Sequence, residues 1–165
     1  VQRKLVDLDN WVANVVEEEA AKLPAVVTVE CTLVLGGLVA AIDPERMSRS
    51  LINLISNASE ALVGKGDELS SDSEFVPNIK IKSHRTGRGV EIVVADNGPG
   101  ISAENLQKIR EPLFTTKSFG TGLGLPAVEK ILEQHDGGLE ITSKLGEGAC
   151  FTAWFPIIKK LEEAA

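Results

Sequence analysis

The chain has 165 residues, of which 43% are hydrophobic and 25% are charged, a composition typical of one globular domain. Its net charge of −7 argues against a nucleic-acid-binding surface, because such a surface needs clustered Lys and Arg side chains. The longest apolar run, residues 33–42, is interrupted by two glycines and is too short to span a membrane.

The first half of the sequence predicts two helices with strands between them. Residues 5–22 form the first helix, because apolar side chains recur at helical spacing before Pro24, namely Leu8, Trp11, Val12, Val15 and Val16. The strand-like runs VVTVECTLVL and GGLVAAI follow. Asp43 before Pro44 is typical of a helix start and predicts a second helix that ends near Val63. The acidic, Ser-rich residues 64–78 predict a surface loop.

The second half predicts two hairpins and two helices. IKIKSH and VEIVVAD flank the turn TGRG, and LEITSKL and ACFTAWF form a closing hairpin. Between the hairpins, Ser102 caps a short helix, and a longer helix runs from about Pro126 to His135 and stops at Gly137 and Gly138. We therefore predict an α+β fold, a two-layer α/β sandwich. Its sheet is mixed and mostly antiparallel, with about three helices on one face.

Two cysteines, Cys31 and Cys150, lie in strand-like runs. We expect both to be buried, reduced thiols, because no other Cys, His or Asp is spaced to complete a zinc site with them. The first residue is Val rather than Met, and we therefore expect the chain to be a fragment of a longer protein.

A Gly-rich turn, GTGLGLP, precedes the helix predicted from Pro126, an arrangement typical of phosphate binding. Gly120, Gly122 and Gly124 do not fit the dinucleotide fingerprint, which needs a glycine where Leu125 stands. The only Gly-Lys pair is followed by another glycine, which excludes a Walker loop, and a protein-kinase His-Arg-Asp motif is missing. A tight turn between closely packed backbones remains the alternative.

The predicted helix from Asp43 to Val63 carries a polar stripe that includes Asn53 and Asn57, one helical turn apart. Lys, Glu or Gln would favour a helix more than Asn does. Amide oxygens are acceptable ligands for Mg²⁺, which takes its other ligands from water and substrate phosphates. The stripe therefore favours contact with a metal and phosphates, and a solvated helix face is the alternative.

The segment DNGPGI follows an apolar strand. Asp96 ends that strand, while Gly98 and Gly100 allow the backbone to turn beneath a flat ligand. A buried carboxylate accepts a hydrogen bond from the exocyclic amine of adenine, whereas guanine presents an oxygen there and would be rejected. Simple turn formation by Asp-Asn-Gly is the alternative.

Four motifs occur in the order NLISNASEA, DNGPGI, EPLFTTK and GTGLGL. Together they resemble the nucleotide boxes of histidine kinase catalytic domains, members of the ATPase superfamily that includes gyrase B, the large heat-shock chaperones and MutL. The resemblance covers about residues 25–156 and is closest to the nitrogen-regulator branch. It implies a Bergerat-type fold and three segments. Residues 1–22 would be a helical junction, residues 23–160 the ATP-binding catalytic domain and residues 161–165 a C-terminal tail.

The resemblance also implies roles for individual residues. Asn57 would bind Mg²⁺, Asn53 would support the metal and phosphates, and Lys117 would approach the phosphates, and these three form the predicted catalytic set. Asp96 would bind adenine, and Phe114 would anchor a mobile ATP lid. The remaining predicted ATP-binding residues are Gly98, Gly100, Ile101, Thr115, Thr116, Gly120, Thr121, Gly122, Leu123, Gly124 and Leu125. The predicted cofactors are ATP and Mg²⁺.

One position separates the branches of this superfamily. The ATP-hydrolysing relatives carry a Glu where this chain has Asn53, and an amide is no base toward water. The resemblance therefore implies transfer of the γ-phosphoryl group to a histidine on a separate helical domain. That domain is absent from the chain, since His84 and His135 are both expected to be structural. We do not expect the fragment to autophosphorylate alone.

The implied partners are ATP, the phosphoacceptor and dimerisation helices of the parent kinase, and a response regulator, with no nucleic acid. The fragment is expected to be monomeric and cytoplasmic, and the parent to be a homodimer. A membrane anchor in the parent stays open. Two alternatives stay open, a hydrolytic ATPase and a nucleotide-binding regulatory module without catalysis. The second rests on Ala149, which stands where the family usually has Thr; Thr152 is a candidate substitute.

Overall fold

The computed structural model describes residues 1–63, 75–109 and 124–161. Its strands are β1 (Lys4–Asp7), β2 (Thr28–Leu33), β3 (Val39–Ile42), β4 (Asn78–Thr86), β5 (Gly89–Asp96), β6 (Gly138–Ser143) and β7 (Ala149–Phe155). Its helices are α1 (Leu8–Ala20), α2 (Pro44–Val63), α3 (Ala103–Leu106) and α4 (Gly124–Gln134). Apart from β1, which the sequence does not predict, the elements follow the predicted order.

The main sheet has five strands in the order β2-β4-β5-β7-β6. Only β2 runs parallel to its neighbour, β4, while the other pairs are antiparallel. A separate two-stranded sheet joins β1 to β3. The mixed, mostly antiparallel α+β architecture is thus confirmed, and both predicted hairpins are present.

Helices cover one face of the main sheet. Side chains alternate between the two faces along each strand, so every second side chain lies beneath the helices. On β5 the residues Val90, Ile92 and Val94 are buried, and on β7 Phe151 and Phe155 are buried against the same helices. The intervening side chains are more exposed and lie on the other face. Burying five such side chains stabilises the fold by roughly 2 kcal/mol each, which fixes the strand ends where the polar motifs lie.

The helix α2 begins where the sequence predicts. Asp43 Oδ1 accepts a hydrogen bond from the backbone N–H of Arg46 at 3.1 Å, which caps the first turn. The amphipathic pattern buries Met47, Leu51 and Leu54 beneath the helix. The side of α2 that carries Asn53 and Asn57 faces α4, which packs beside it.

The first helix begins later than predicted. Residues 5–7, the start of the predicted helix, belong instead to β1, which pairs with β3 in the register Leu5 to Ala41. Asp7 has extended backbone angles and its side chain accepts from the N–H of Asn10 at 3.2 Å, so it caps α1 and fixes its start at Leu8. The predicted apolar residues of α1 are buried in the main core.

Two further predictions fail in detail. Cys31 is exposed, because β2 is an edge strand, and Cys150 is only half-buried on the open face of the sheet. At the end of α4, the left-handed residue that terminates the helix is Asp136, with φ of +61°, rather than Gly137. The N–H of Gly137 donates to Leu132 O at 2.8 Å, which closes a Schellman motif around Asp136.

Candidate functional site

Asn53 and Asn57 lie half-buried on α2, one turn apart. Their neighbours Leu54 and Ala58 point into the core, and this burial fixes which way the two amides face. Gly124, the first residue of α4, lies against Asn53, since a Cβ placed on Gly124 would be 3.6 Å from Asn53 Cγ. The structure thus places Asn53 next to Gly124, the last glycine of the GTGLGLP motif.

The N-terminus of α4 is anchored by apolar side chains. Leu125 and Val128 are buried between α4 and the sheet. The backbone N–H groups of a helix's first turn lack intrahelical acceptors and carry a partial positive charge. Gly124 carries no Cβ, and it places the start of α4 beside the Asn53 side chain. This corner of the molecule is suited to an anionic group.

Asp96 ends β5 and is 9% exposed. Its Oδ1 accepts a hydrogen bond from the N–H of Gly98 at 2.9 Å. Burial raises the pKa of Asp96, and the N–H groups of Gly98 and Ala149, which favour the charged form, only partly offset this. A buried carboxylate with two backbone donors keeps acceptor capacity for a ligand.

The turn after Asp96 is held by close backbone packing. Gly98 lies beside the last turns of α2, where a Cβ would be 3.5 Å from Ala61 O. Gly100 has φ of +73°, and a Cβ there would collide with the carbonyl of Lys144. Ile101 is 2% exposed and anchors the end of the turn in the core. Gly100 is therefore required by the turn itself, whereas at Gly98 the tight contact of a Cβ would be with Asp96 Oδ1, at 2.9 Å. The predicted contact of both glycines with a flat ligand stays a prediction.

Asn97 and Ser143, which belong to no predicted site, also hold this turn. Asn97 accepts from the N–H of Asn78 at 2.8 Å and donates to Val76 O at 2.8 Å, so it ties the start of β4 to the Asp96 turn. Ser143 accepts from the N–H of Ile101 at 2.7 Å and donates to a carbonyl of the β6–β7 turn. Both partners are distant in sequence, and short-range patterns carry no signal for them.

The prediction that Thr152 takes the role of the Thr missing at position 149 is wrong. Ala149 is buried on the helix-covered face and pairs with Asp96. Thr152 is three residues further along β7 and pairs with Val93, so its side chain points to the opposite face of the sheet. Residues an odd number apart on a strand cannot share a face.

Much of the predicted lid lies outside the described residues. This group comprises Phe114, Thr115, Thr116, Lys117, Gly120, Thr121, Gly122 and Leu123, and their predicted contacts stay predictions.

Within residues 1–63, 75–109 and 124–161, no group of three or more His, Cys, Asp or Glu side chains could hold a metal ion. In the same part of the chain no helix is long and apolar enough to cross a membrane.

The two histidines occupy different environments. His84 lies on the open face of the sheet with Nε2 3.1 Å from Glu91 Oε1. His135 is 2% exposed, and its two ring nitrogens contact Asp43 N and Ile131 O. Burial lowers the pKa of His135, and the nearby Arg3 adds to this. Neither ring lies at the strand end of Asp96 or at the N-terminus of α4.

Comparisons with known proteins agree with this geometry. Residues 42–159 match the family of histidine kinase-, DNA gyrase B- and HSP90-like ATPases. The sensor histidine kinase ZraS of Escherichia coli strain K12 is 41% identical over 115 residues, which is 70% of this chain and 22% of ZraS. The nitrogen regulation protein NtrY of Azorhizobium caulinodans is 35% identical over 121 residues, which is 73% of this chain and 15% of NtrY.

A solved structure is similar over its whole length. The catalytic domain of histidine kinase ThkA, in a nucleotide-free form, has a TM-score of 0.75 and 27% identity, with 100% of both chains covered. The chain spans less than a quarter of ZraS and of NtrY.

Proposed function

The chain belongs to the family of histidine kinase-, DNA gyrase B- and HSP90-like ATPases, and from this premise we propose that it is the ATP-binding catalytic domain of a two-component sensor histidine kinase. In this proposal the domain binds ATP and transfers its γ-phosphoryl group to a histidine on a separate helical domain of the parent protein. The similarity to sensor kinases over about 70% of the chain supports it.

One observation carries the proposal, the position of α2 between the two ends of the site. Asn53 lies against Gly124 at one end, and Ala61 lies against the Gly98 turn at the other. At 1.5 Å per residue, α2 advances about 12 Å between these contacts. That span suits an extended nucleoside triphosphate with its base at Asp96 and its phosphates at the start of α4.

Asp96 reads the base in this arrangement. Its carboxylate accepts a hydrogen bond from the exocyclic amine of adenine, in addition to those from Gly98 and Ala149. Guanine would place a carbonyl oxygen against the same carboxylate, which leaves two acceptors facing each other without a proton between them. Gly98 and Gly100 keep the turn close to α2 and to the β6–β7 turn, so that the base pocket is shaped before the nucleotide arrives.

The phosphate end works by position and electrostatics. The amides at the start of α4 face the triphosphate and stabilise its negative charge. Asn57 supplies an amide oxygen for Mg²⁺, and Asn53 orients the same shell from the preceding turn. A lone neutral amide fits Mg²⁺, which keeps most of its waters and takes other ligands from substrate phosphates. When bound, the ion would neutralise charge that develops on the phosphoryl oxygens.

Asn53 also determines the expected fate of the nucleotide. The side chain is an amide beside the start of α4, and it cannot take a proton from water at neutral pH. Bound ATP would therefore persist until a nucleophile arrives from another domain. We further propose that Lys117 and the lid residues from Phe114 onward close over the phosphates.

The proposal extends to the parent protein. The chain would follow phosphoacceptor and dimerisation helices, and residues 1–22 would form the junction to them while packing onto the domain as β1 and α1. The parent would act as a homodimer that phosphorylates a response regulator. The length of ZraS and NtrY relative to this chain supports further domains. The domain would act in the cytoplasm, where ATP and the response regulator are found.

Phosphotransfer in trans tests this function. The chain is mixed with a fragment that carries the upstream helices of its parent and with γ-labelled MgATP. We expect acid-labile, alkali-stable label on the helical fragment, and none when its acceptor histidine is replaced by Gln. Rapid release of phosphate without labelled fragment would indicate a hydrolytic ATPase instead. Binding of ATP without either product would indicate a regulatory module.

A further inference from the structure

His135 makes two directed contacts at the end of the molecule away from the Asp96 turn. Its Nδ1 lies 2.8 Å from Ile131 O, an acceptor, so Nδ1 carries the proton. Its Nε2 is therefore a free acceptor, and it lies 2.9 Å from the backbone N of Asp43, which donates to it. The buried neutral ring thus links the end of α4 to the start of α2.

Asp43 is held from several sides at this point. Its carboxylate caps α2 through Arg46 N and also accepts from the N–H of Gln2 at 2.8 Å. Arg3 donates to Gln134 O at 2.9 Å, next to His135. The N-terminal segment, the start of α2 and the end of α4 therefore meet at one cluster, and the imidazole is its buried bridge.

The two helices contact each other again at the nucleotide end, where Gly124 meets Asn53. From Asp43 to Asn53 α2 advances about 15 Å, and from His135 back to Gly124 α4 advances about 16 Å. The two contacts therefore lie at nearly equal distances along the two helices. If α4 moved along α2 as one body at His135, Gly124 would move with it. Such a shift would change the distance between the α4 amides and the Asn side chains.

We propose that His135 is a positioning residue for the triphosphate. By accepting a hydrogen bond from the Asp43 N–H, it sets the register of α4 against α2. It thereby places the N–H groups at the start of α4, from Gly124 onward, relative to Asn53 and Asn57. The inference rests on the proposed ATP site and deepens it. It adds a residue that touches no nucleotide and acts through two helices. Base recognition at Asp96 does not depend on this bridge, because Asp96 lies at the end of β5.

Two variants separate the two ring contacts. His135→Gln places an amide oxygen where Nε2 lies and retains the acceptor for Asp43 N–H. His135→Asn has a shorter side chain, whose NH₂ group reaches only the Nδ1 position and can donate to Ile131 O alone. The pair differs by one methylene, and the proposal predicts that it differs in phosphate binding.

The experiment measures the affinities of wild type, His135→Gln and His135→Asn for MgATP and for adenosine, by calorimetry and competition, with thermal unfolding as a check of folding. We expect His135→Asn to bind MgATP about three- to tenfold more weakly, the effect of one buried hydrogen bond. Its adenosine affinity should stay within about twofold of wild type, and His135→Gln should bind MgATP nearly as well as wild type.

Three results would overturn the inference. Equal losses for MgATP and adenosine would mean that His135 only supports the fold. An unchanged MgATP affinity in His135→Asn would mean that the bridge does not position α4, and equal losses in both variants would exclude the Asp43 contact as the cause. If wild type itself binds no MgATP, the proposed function fails rather than the role of His135.

Discussion

Two buried aspartates follow strands of this domain, and their environments are opposite. Asp43, after β3, is 5% exposed, and Asp96, at the end of β5, is 9% exposed. Burial alone would raise the pKa of each carboxyl. At Asp43 the N–H groups of Gln2 and Arg46, with the charge of Arg46, outweigh burial and lower the pKa. At Asp96 two backbone donors do not outweigh burial, and the pKa is raised.

The difference is the one expected between a structural carboxylate and the carboxylate that we propose binds adenine. Asp43 has its partners within the chain, so its charge stabilises the folded state. Asp96 holds a charge that the free domain stabilises incompletely, and this is expected where an adenine amine completes the hydrogen bonding. A residue that destabilises the free protein while facing a cleft is a better candidate for ligand binding than one that is satisfied.

The largest expected effect on ATP affinity comes from Asp96→Asn. The amide retains the shape, but in the orientation that accepts from Gly98 N–H it turns an NH₂ group toward the adenine amine. We expect MgATP affinity to fall about tenfold to a hundredfold, the cost of losing a hydrogen bond to a charged group. The free protein should unfold at a higher temperature than wild type, since a poorly solvated charge is removed. Calorimetry and thermal unfolding measure the two effects, and unchanged ATP affinity would contradict the assignment.

A pair of glycines tests the packing behind Asp96. Gly148 has φ of +90°, and a Cβ there would collide with the Asp96 carbonyl, so Gly148→Ala should cost about 3 kcal/mol of stability and weaken ATP binding. Gly146 has φ of +85° with nothing within 4 Å of the Cβ position. Gly146→Ala is the matched control and should cost only about 1 kcal/mol. Chemical denaturation distinguishes them, and equal costs would mean that backbone angle alone is responsible.

Asp43→Asn should act in the direction opposite to Asp96→Asn. The amide can still cap α2, but it loses the charge that Arg46 N–H, Gln2 N–H and the Arg46 guanidinium stabilise. We expect a loss of about 1 kcal/mol in the free energy of unfolding at pH 7. Denaturant unfolding of both Asn variants beside wild type measures the two signs. Changes of the same sign would contradict the contrast between the two aspartates.

The dependence of stability on pH should separate the same residues. The pKa of Asp43 is lowered by folding, so its contribution is present above about pH 3.9, the ordinary Asp value, and is lost as the pH falls through its folded pKa. The pKa of Asp96 is raised, so the folded state is favoured below about pH 3.9 and loses that advantage as the pH rises through the raised pKa. The excess stability of Asp96→Asn over wild type should therefore shrink on acidification. An excess that grew would contradict the pKa direction.

The smallest expected change is at the end of α4 near Asp43. Asp136 adopts a left-handed conformation, φ of +61°, that glycine adopts without strain. It also lies 3.6 Å from Arg3, but its side chain is 70% exposed, and such an ion pair contributes little. Asp136→Gly should therefore raise the free energy of unfolding by roughly 0.5 kcal/mol without changing ATP affinity. A clear loss of stability would show that the Arg3 contact outweighs the backbone strain.

Much of the fold follows from local pattern. The strands of the two hairpins were predictable because their apolar side chains alternate, and the start of α2 because Asp43 and Pro44 form a cap. The start of α1 was not, because Leu5 has the spacing of the helix but pairs with Ala41 in a strand. Tertiary pairing over this distance overrides a helical pattern.

The site shows the same division. Asp96, Gly98 and Gly124 were predictable from short motifs, and the structure places the first two together in one turn and the third against Asn53. The bridge from His135 to Asp43 joins residues 92 positions apart, and no local pattern predicts such a pair. Thr152 cannot take the place of a Thr at position 149, because the two positions are three apart on β7 and their side chains lie on opposite faces of the sheet. Local chemistry is visible in the sequence, whereas mutual placement depends on the fold.

We propose above all that this chain is an adenine-specific nucleotide-binding domain in which Asp96 recognises the base. The most direct test is calorimetric titration of the wild-type chain with MgATP and with MgGTP under identical conditions. We expect MgATP to bind at least about tenfold more tightly than MgGTP, since guanine would place an acceptor oxygen against the Asp96 carboxylate. Equal affinities for the two nucleotides, or no binding of either, would contradict it.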